Sequence, residues 1–236
     1  MTKHTDFFKA IHSGKGVHSI HSCQELIECI EAVGFLPLLE SGIAGFAAES
    51  MMAEECRYRL YDDGSWEWPL WQWKGSVIKE TGCAYGKFFA GKAGFISRNW
   101  WPDFCNYRRS VHPAPDGDSI EGMILAILRE EGSMVTRDLR AACDFRGKNM
   151  RSKFDAYVGR LQMGCHIVTE DFVYPTDKKG RQYGFGWSLL TTPEQLMGRE
   201  TCHCKRSPKA SFERIFNHLH SILPTASEQQ LMKMLR

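Results

Sequence analysis

The amino-acid sequence predicts an α+β protein: a winged helix-turn-helix in the C-terminal half, and a mixed N-terminal half that could itself be winged-helix-like. Three observations carry this. The chain breaks at His112-Pro113-Ala114-Pro115-Asp116-Gly117, a Pro/Gly-rich linker. Hydrophobic periodicity after the break reads helix, helix, helix, strand, polar turn, strand. Basic residues cluster on the third helix and on that turn.

Each element has a local reason. Asp118, three residues before Glu121, forms an acidic capping box, and Ile120, Met123, Ile124, Ile127 and Leu128 make one apolar helix face stopped by Gly132. Ser133-Met134-Val135 is a brief extended link, and Thr136 is an N-cap for a short helix through Cys143. After the turn Arg146-Gly147-Lys148, a third helix from Asn149 aligns Met150, Phe154, Tyr157, Val158 and Leu161 and ends at Gly164. Strands are expected at Cys165–Thr169 and Tyr183–Leu190, around the polar run Pro175–Arg181. Helices opening at Thr192-Pro193 and Ser207-Pro208, then a last turn from Ser227, pack back on the domain. The expected organisation is 1–112, 118–192 and 193–236.

In the N-terminal half, Ser22 and Glu25 form a capping box for a helix carrying Leu26, Ile30 and Val33, closed by Gly34. Residues 41–65 are weakly patterned. Pro69 suits the first turn of a helix to Thr81 with Gly82 as its stop. Cys83–Phe89 and Gly94–Ser97 read as a hairpin, and Arg98–Arg109 as a helix.

Composition narrows the function. Forty-three per cent hydrophobic and 12% aromatic residues make a globular chain. A formal net charge of +2 excludes a polycation, so nucleic-acid affinity must come from local clusters. No run approaches the roughly 18 apolar residues of a membrane helix, and Met1–Lys9 lacks a signal peptide's apolar segment. Nine scattered cysteines read as reduced thiols used as small hydrophobes. The expected setting is the cytoplasm, with no cofactor and no membrane partner.

The basic clusters define a candidate nucleic-acid interface: Arg146, Lys148, Asn149, Arg151, Ser152 and Arg160 on the third helix and its approach, and Lys178, Lys179 and Arg181 on the wing. Cations there displace counterions from phosphates, and the helix N-terminus offers amides to another. Lys and Arg are also ordinary surface residues, and winged helices also bind proteins.

Four tryptophans fall within Trp66–Trp73. One reading is an aromatic core between the halves. The other is a stacking site for an extruded base on Trp71 and Trp73, with Gln72 and Lys74 as polar groups in the cleft.

Trp71-Gln72-Trp73-Lys74, Cys83-Ala84-Tyr85-Gly86, Gly91–Ser97 and Tyr183–Trp187 together resemble the small bacterial AlkZ-related proteins, from roughly Gly34 to the final helices. These are considered distant relatives of the AlkZ/YcaQ winged-helix DNA glycosylases, whose tandem winged helices form a concave basic surface and which excise alkylated or crosslinked bases. The resemblance implies a DNA-repair role on double-stranded DNA. The glycosylases position a hydrolytic water with a Gln-x-Gln or Gln-x-Asp motif; here the nearby candidate is Gln72-Trp73-Lys74, whose charged Lys74 could not accept the water's proton. Lys74 could act as a nucleophile with a depressed pKa. A scaffold that binds damaged DNA without the chemistry is the simpler expectation. A transcriptional regulator or protein-interaction module and an active glycosylase are the alternatives.

Other constellations are weak. Cys202-His203-Cys204 lacks a second ligand pair for zinc. His4, His12, His18 and His21 are irregularly placed, Gly14-Lys15-Gly16 lacks the rest of a phosphate loop, and no Ser/His/Asp or Cys/His set stands out.

Overall fold

A computed structural model describes residues 20–147, 150–180, 182 and 184–236. Ser22 Oγ accepts the Glu25 amide and starts helix α1 (Cys23–Val33), while the Glu25 carboxylate accepts from His21 N, one residue earlier than in a regular capping box. Gly34, at φ 76°, ends α1 and leads directly into strand β1 (Phe35–Pro37). Helix α2 (Ala48–Met51), a 3-10 turn at Glu54–Cys56 and the small hairpin β2 (Arg59–Leu60)–β3 (Trp66–Glu67) occupy the weakly patterned stretch. Helix α3 (Pro69–Thr81) begins with its proline in the first turn and ends at left-handed Gly82. The hairpin β4 (Ala84–Phe89)–β5 (Lys92–Ile96) turns at Ala90 and Gly91, both at positive φ, as a tight hairpin turn requires. Gly94 in β5 is irreplaceable by geometry, since a Cβ there would sit 2.6 Å from the Leu36 carbonyl of β1. Helix α4 (Trp101–Val111) completes this half.

The second half runs α5 (Ile120–Glu131), β6 (Met134–Val135), α6 (Thr136–Ala142), α7 (Arg151–Met163), β7 (Val168–Val173) and β8 (Trp187–Thr191). The two halves share a plan. In each, a helix is followed by a short strand, then by further helix, then by an antiparallel hairpin whose returning strand lies in the middle. The strand orders are β1-β5-β4 and β6-β8-β7. The chain is thus an α+β protein with small antiparallel sheets.

Several boundaries differ from the sequence expectation for identifiable reasons. Ser119, not Asp118, caps α5: its Oγ accepts the Gly122 amide, while the Asp118 amide donates to Asp116. Thr136 does not cap α6; its hydroxyl donates to the Ser188 carbonyl and ties the helix to β8. Met134-Val135 is more than a link, pairing with Leu190 and Leu189. The strand expected from Cys165 starts at Val168, because Cys165 adopts φ 59° in the turn after α7. The strand expected from Tyr183 starts at Trp187, after Gly184 and Gly186 at positive φ.

Helices α8 (Pro193–Met197), α9 (Pro208–Ile222) and α10 (Glu228–Met234) follow. Their buried residues Met197, Ile215, Leu219, Ile222, Leu231 and Met234 join the large core of the first half, with Phe35, Phe88, Phe95, Trp101 and Phe104. Asp103 on α4, 2% exposed, receives Ser211 Oγ at 2.8 Å and Arg214 Nη1 at 2.5 Å from α9. Arg108 donates to the carbonyls of Met163 and Leu235. Ile124, Leu128, Leu139, Phe154 and Leu161 form a second, smaller cluster. The halves meet where α7 lies on β4, with Gln162 Oε1 accepting from the Lys87 amide, and where α3 lies on β7, with Lys79 paired to Asp171 at 2.7 Å. Among the described residues no helix is long and apolar enough to cross a membrane.

Candidate functional site

The tryptophan-rich helix start builds the site. Residues on an α-helix are about 100° apart, so Trp71 and Lys74, three apart, are neighbours on one side while Gln72 points about 160° from Lys74. Trp68 stacks on Trp71 with ring centroids 5.0 Å apart, and its Nε1 donates to Glu49. Trp71 Nε1 donates to the Phe185 carbonyl at 3.0 Å, and Trp66 stacks on the Phe185 ring at 5.3 Å. Trp73 is half-buried against the larger core.

Between the β2–β3 hairpin, α3 and the β7–β8 hairpin lies a cavity of about 410 Å³, walled by Trp66, Trp71, Gln72, Tyr174 and Gln182 with Gly64-Ser65. That is within the size range of small-ligand sites, and apolar rings with a few polar groups are the usual lining. Trp71 contributes to the cavity; Trp73 is not in its wall. The tryptophans therefore serve both as inter-half packing and as cavity lining.

Gln72 and Lys74 are separated. Gln72 is exposed and lines the cavity. Lys74 is 0% exposed, with Nζ 3.0 Å from the Trp71 ring centroid and 3.7 Å from that of Phe172. Nζ has no hydrogen-bond partner among the described residues. Burial pulls the Lys74 pKa down to about 6. Lys74 is therefore largely an uncharged amine at neutral pH.

Arg146, Arg151 and Ser152 are exposed at and before the first turn of α7, and Lys178 and Lys179 are exposed on the turn of the second hairpin. Lys148, Asn149 and Arg181 lie outside the described residues. Met150, in the helical region at φ -93° and ψ -13°, leads into α7, and among the described residues no side chain caps it. Arg151 is only loosely tied to Asp155, at 3.9 Å. Arg160 is different: Nη2 and Nε hold Glu121 at 2.6 and 2.8 Å, and the guanidinium lies over Tyr157. Glu121 neutralises it. β4 packs on the far half of α7, where Gly159 and Gln162 are buried, and the first turn presents three consecutive exposed residues, 151–153.

Sequence reasoning missed Lys153, also exposed in that turn, and missed Phe172, Tyr174, Gln182 and Phe185 around the cavity. The period-2 spacing of Phe172 and Tyr174 was the available signal, since it puts both on one side of a strand. Cys202 and Cys204 point to different partners: the Cys105 thiol donates to Cys202 and lowers its pKa, while Cys204 Sγ donates to Asp103. Among the described residues no group of three or more His, Cys, Asp or Glu is arranged to hold a metal ion.

Fold and site thus define an α+β protein with two similarly ordered halves and an aromatic-walled cavity between them. The AlkZ-related family model matches residues 20–236, and the chain belongs to that family. No curated protein and no solved structure matches it.

Proposed function

We propose that this is a DNA-binding protein built from winged-helix-like units, which recognises distorted or damaged duplex DNA through phosphate contacts and shape. Its domains on this reading are the N-terminal unit to residue 112, the winged helix at 118–192 and the helical extension 193–236. The carrying observation is that Arg151 and Ser152, exposed in the first turn of α7, stand in the same small unit as exposed Lys178 and Lys179. Family membership supports DNA as the partner, because the AlkZ/YcaQ relatives that the sequence resembles are winged-helix DNA glycosylases. The repeated helix–strand–helix–hairpin order supports a tandem arrangement. We read the compartment as the cytoplasm.

Few cations are free, and one of the expected set is neutralised by Glu121. Such a surface suits salt-sensitive, sequence-tolerant binding. Titration of a duplex at two salt concentrations, with wild type and Arg151→Ala/Lys179→Ala, tests it. Salt-independent or absent binding would leave the protein-interaction reading.

A second reading, glycosylase activity, is favoured by one observation: exposed Gln72 lines a cavity large enough for a planar base. Here the base sits at the edge of Trp71, whose faces are taken by Trp68 and Lys74, and Gln72 orients a water. Release of abasic sites from alkylated or crosslinked duplex, abolished by Gln72→Ala, is its test.

A further inference from the structure

Lys74 is a costly residue for its place. Its amine is shut from solvent, unpartnered among the described residues, and held between the rings of Trp71 and Phe172. Methionine has similar length and would fill the same space without desolvating an amine. Cation–π attraction to the two rings offsets part of that cost only in the protonated form. Burial nevertheless leaves the nitrogen with a free lone pair at neutral pH, the property that makes a lysine nucleophilic toward carbonyls.

Trp71 links this amine to the cavity. Trp71 both lines the cavity and lies against Nζ. It is pinned by its stack on Trp68 and by the hydrogen bond from Nε1 to the Phe185 carbonyl. Phe185 is 55% exposed and sits between Gly184 at φ 70° and Gly186 at φ 72°, in the second hairpin. The latch on Trp71 is thus a surface turn.

We propose that Lys74 is an aldehyde-reactive amine, screened by Trp71, that forms an imine with the ring-opened aldehyde of an abasic deoxyribose held in the cavity. The sugar assignment rests on the DNA reading above. Trp71 swings away, giving up its bond to Phe185. The Nζ lone pair then attacks the C1′ carbonyl carbon. Proton transfers from nitrogen to oxygen let that oxygen leave as water, and the C=N bond forms. Nothing is oxidised or reduced, and hydrolysis returns the free amine. Gln72 and Tyr174, in the cavity wall, supply polar partners for the sugar.

The test is reductive trapping of the full chain with a duplex containing one abasic site, using cyanoborohydride to reduce the C=N bond. A covalent protein–DNA product mapping to Lys74 is expected, falling at least about tenfold in Lys74→Met and Lys74→Arg. In parallel, glycolaldehyde with the same reductant should label Lys74 faster than exposed Lys79 and Lys178, a readout that needs no DNA. If the duplex binds and Lys74 is not trapped, the inference is overturned and the DNA reading stands. If glycolaldehyde labels Lys74 but no duplex binds, the DNA reading and the sugar assignment both fall. Equal trapping by wild type and Lys74→Met also overturns the inference.

Discussion

Trp71 Nε1 donates a 3.0 Å hydrogen bond to the carbonyl of Phe185, joining the tryptophan-rich helix of the first half to the hairpin of the second. The Phe185 ring also meets Trp66 at 5.3 Å and Trp71 at 5.4 Å. Aromatic pairs of this kind contribute about 0.5–1.5 kcal/mol each. Phe185→Ala should therefore lower Tm by a few degrees and red-shift tryptophan emission, as Trp66 and Trp71 gain water. Fluorescence with a thermal melt checks it; an unchanged spectrum would mean that the turn does not hold the rings.

Lys74 makes stability depend on pH in a defined direction. Its folded pKa is about 6 against an ordinary value of 10.5, so between those limits the unfolded chain binds more protons. Unfolding free energy should rise as pH climbs from about 6 toward 10, with the penalty fully present below about 6. Lys74→Met should raise stability at pH 7 and flatten the slope. Urea unfolding at several pH values measures both.

Asp103 carries the junction between α4 and α9. Burial raises its pKa, but hydrogen bonds from Ser211 and Cys204 and the charges of Arg214 and Arg206 outweigh this and hold it below the usual carboxylate range. Its contribution is present above the unfolded pKa and is lost as pH falls through the folded one. Asp103→Ala strips a buried, hydrogen-bonded charge and should cost about 3–5 kcal/mol. Denaturant unfolding at pH 7 reads the loss; a change below about 1 kcal/mol would show that water replaces the carboxylate.

Arg160 and Arg151 lie on one helix but should behave differently. Arg160 is held by Glu121, whereas Arg151 has only a long contact to Asp155. Arg151→Ala should weaken duplex binding and flatten the plot of log K against log salt by about 0.9. Arg160→Ala should leave that slope nearly unchanged. Equal effects would mean that Glu121 releases Arg160 on binding.

Much of the fold was legible because its signals are local. Pro69 with Gly82 bounded α3, Ser207-Pro208 opened α9, and Ala90-Gly91 closed a hairpin, each through chemistry contained in a few residues. Longer-range partners decided the misses. Thr136 reads as a cap until Ser188 arrives to accept its hydroxyl, and Met134-Val135 becomes a strand only beside β8. The cavity was half legible. Trp71 and Gln72 come from one short run, but Tyr174 and Gln182 reach it from a distant hairpin, and no periodicity in residues 66–74 says that Lys74 will be sealed beneath Trp71 and Phe172.

On the proposed function, the first turn of α7 and the neighbouring hairpin engage duplex DNA. Fluorescence anisotropy of a labelled duplex at about 50 and 200 mM salt tests it most directly. Binding should weaken at least about tenfold over that range and be lost in Arg151→Ala/Lys179→Ala at the higher salt. Binding that ignores salt and survives the double substitution would contradict it.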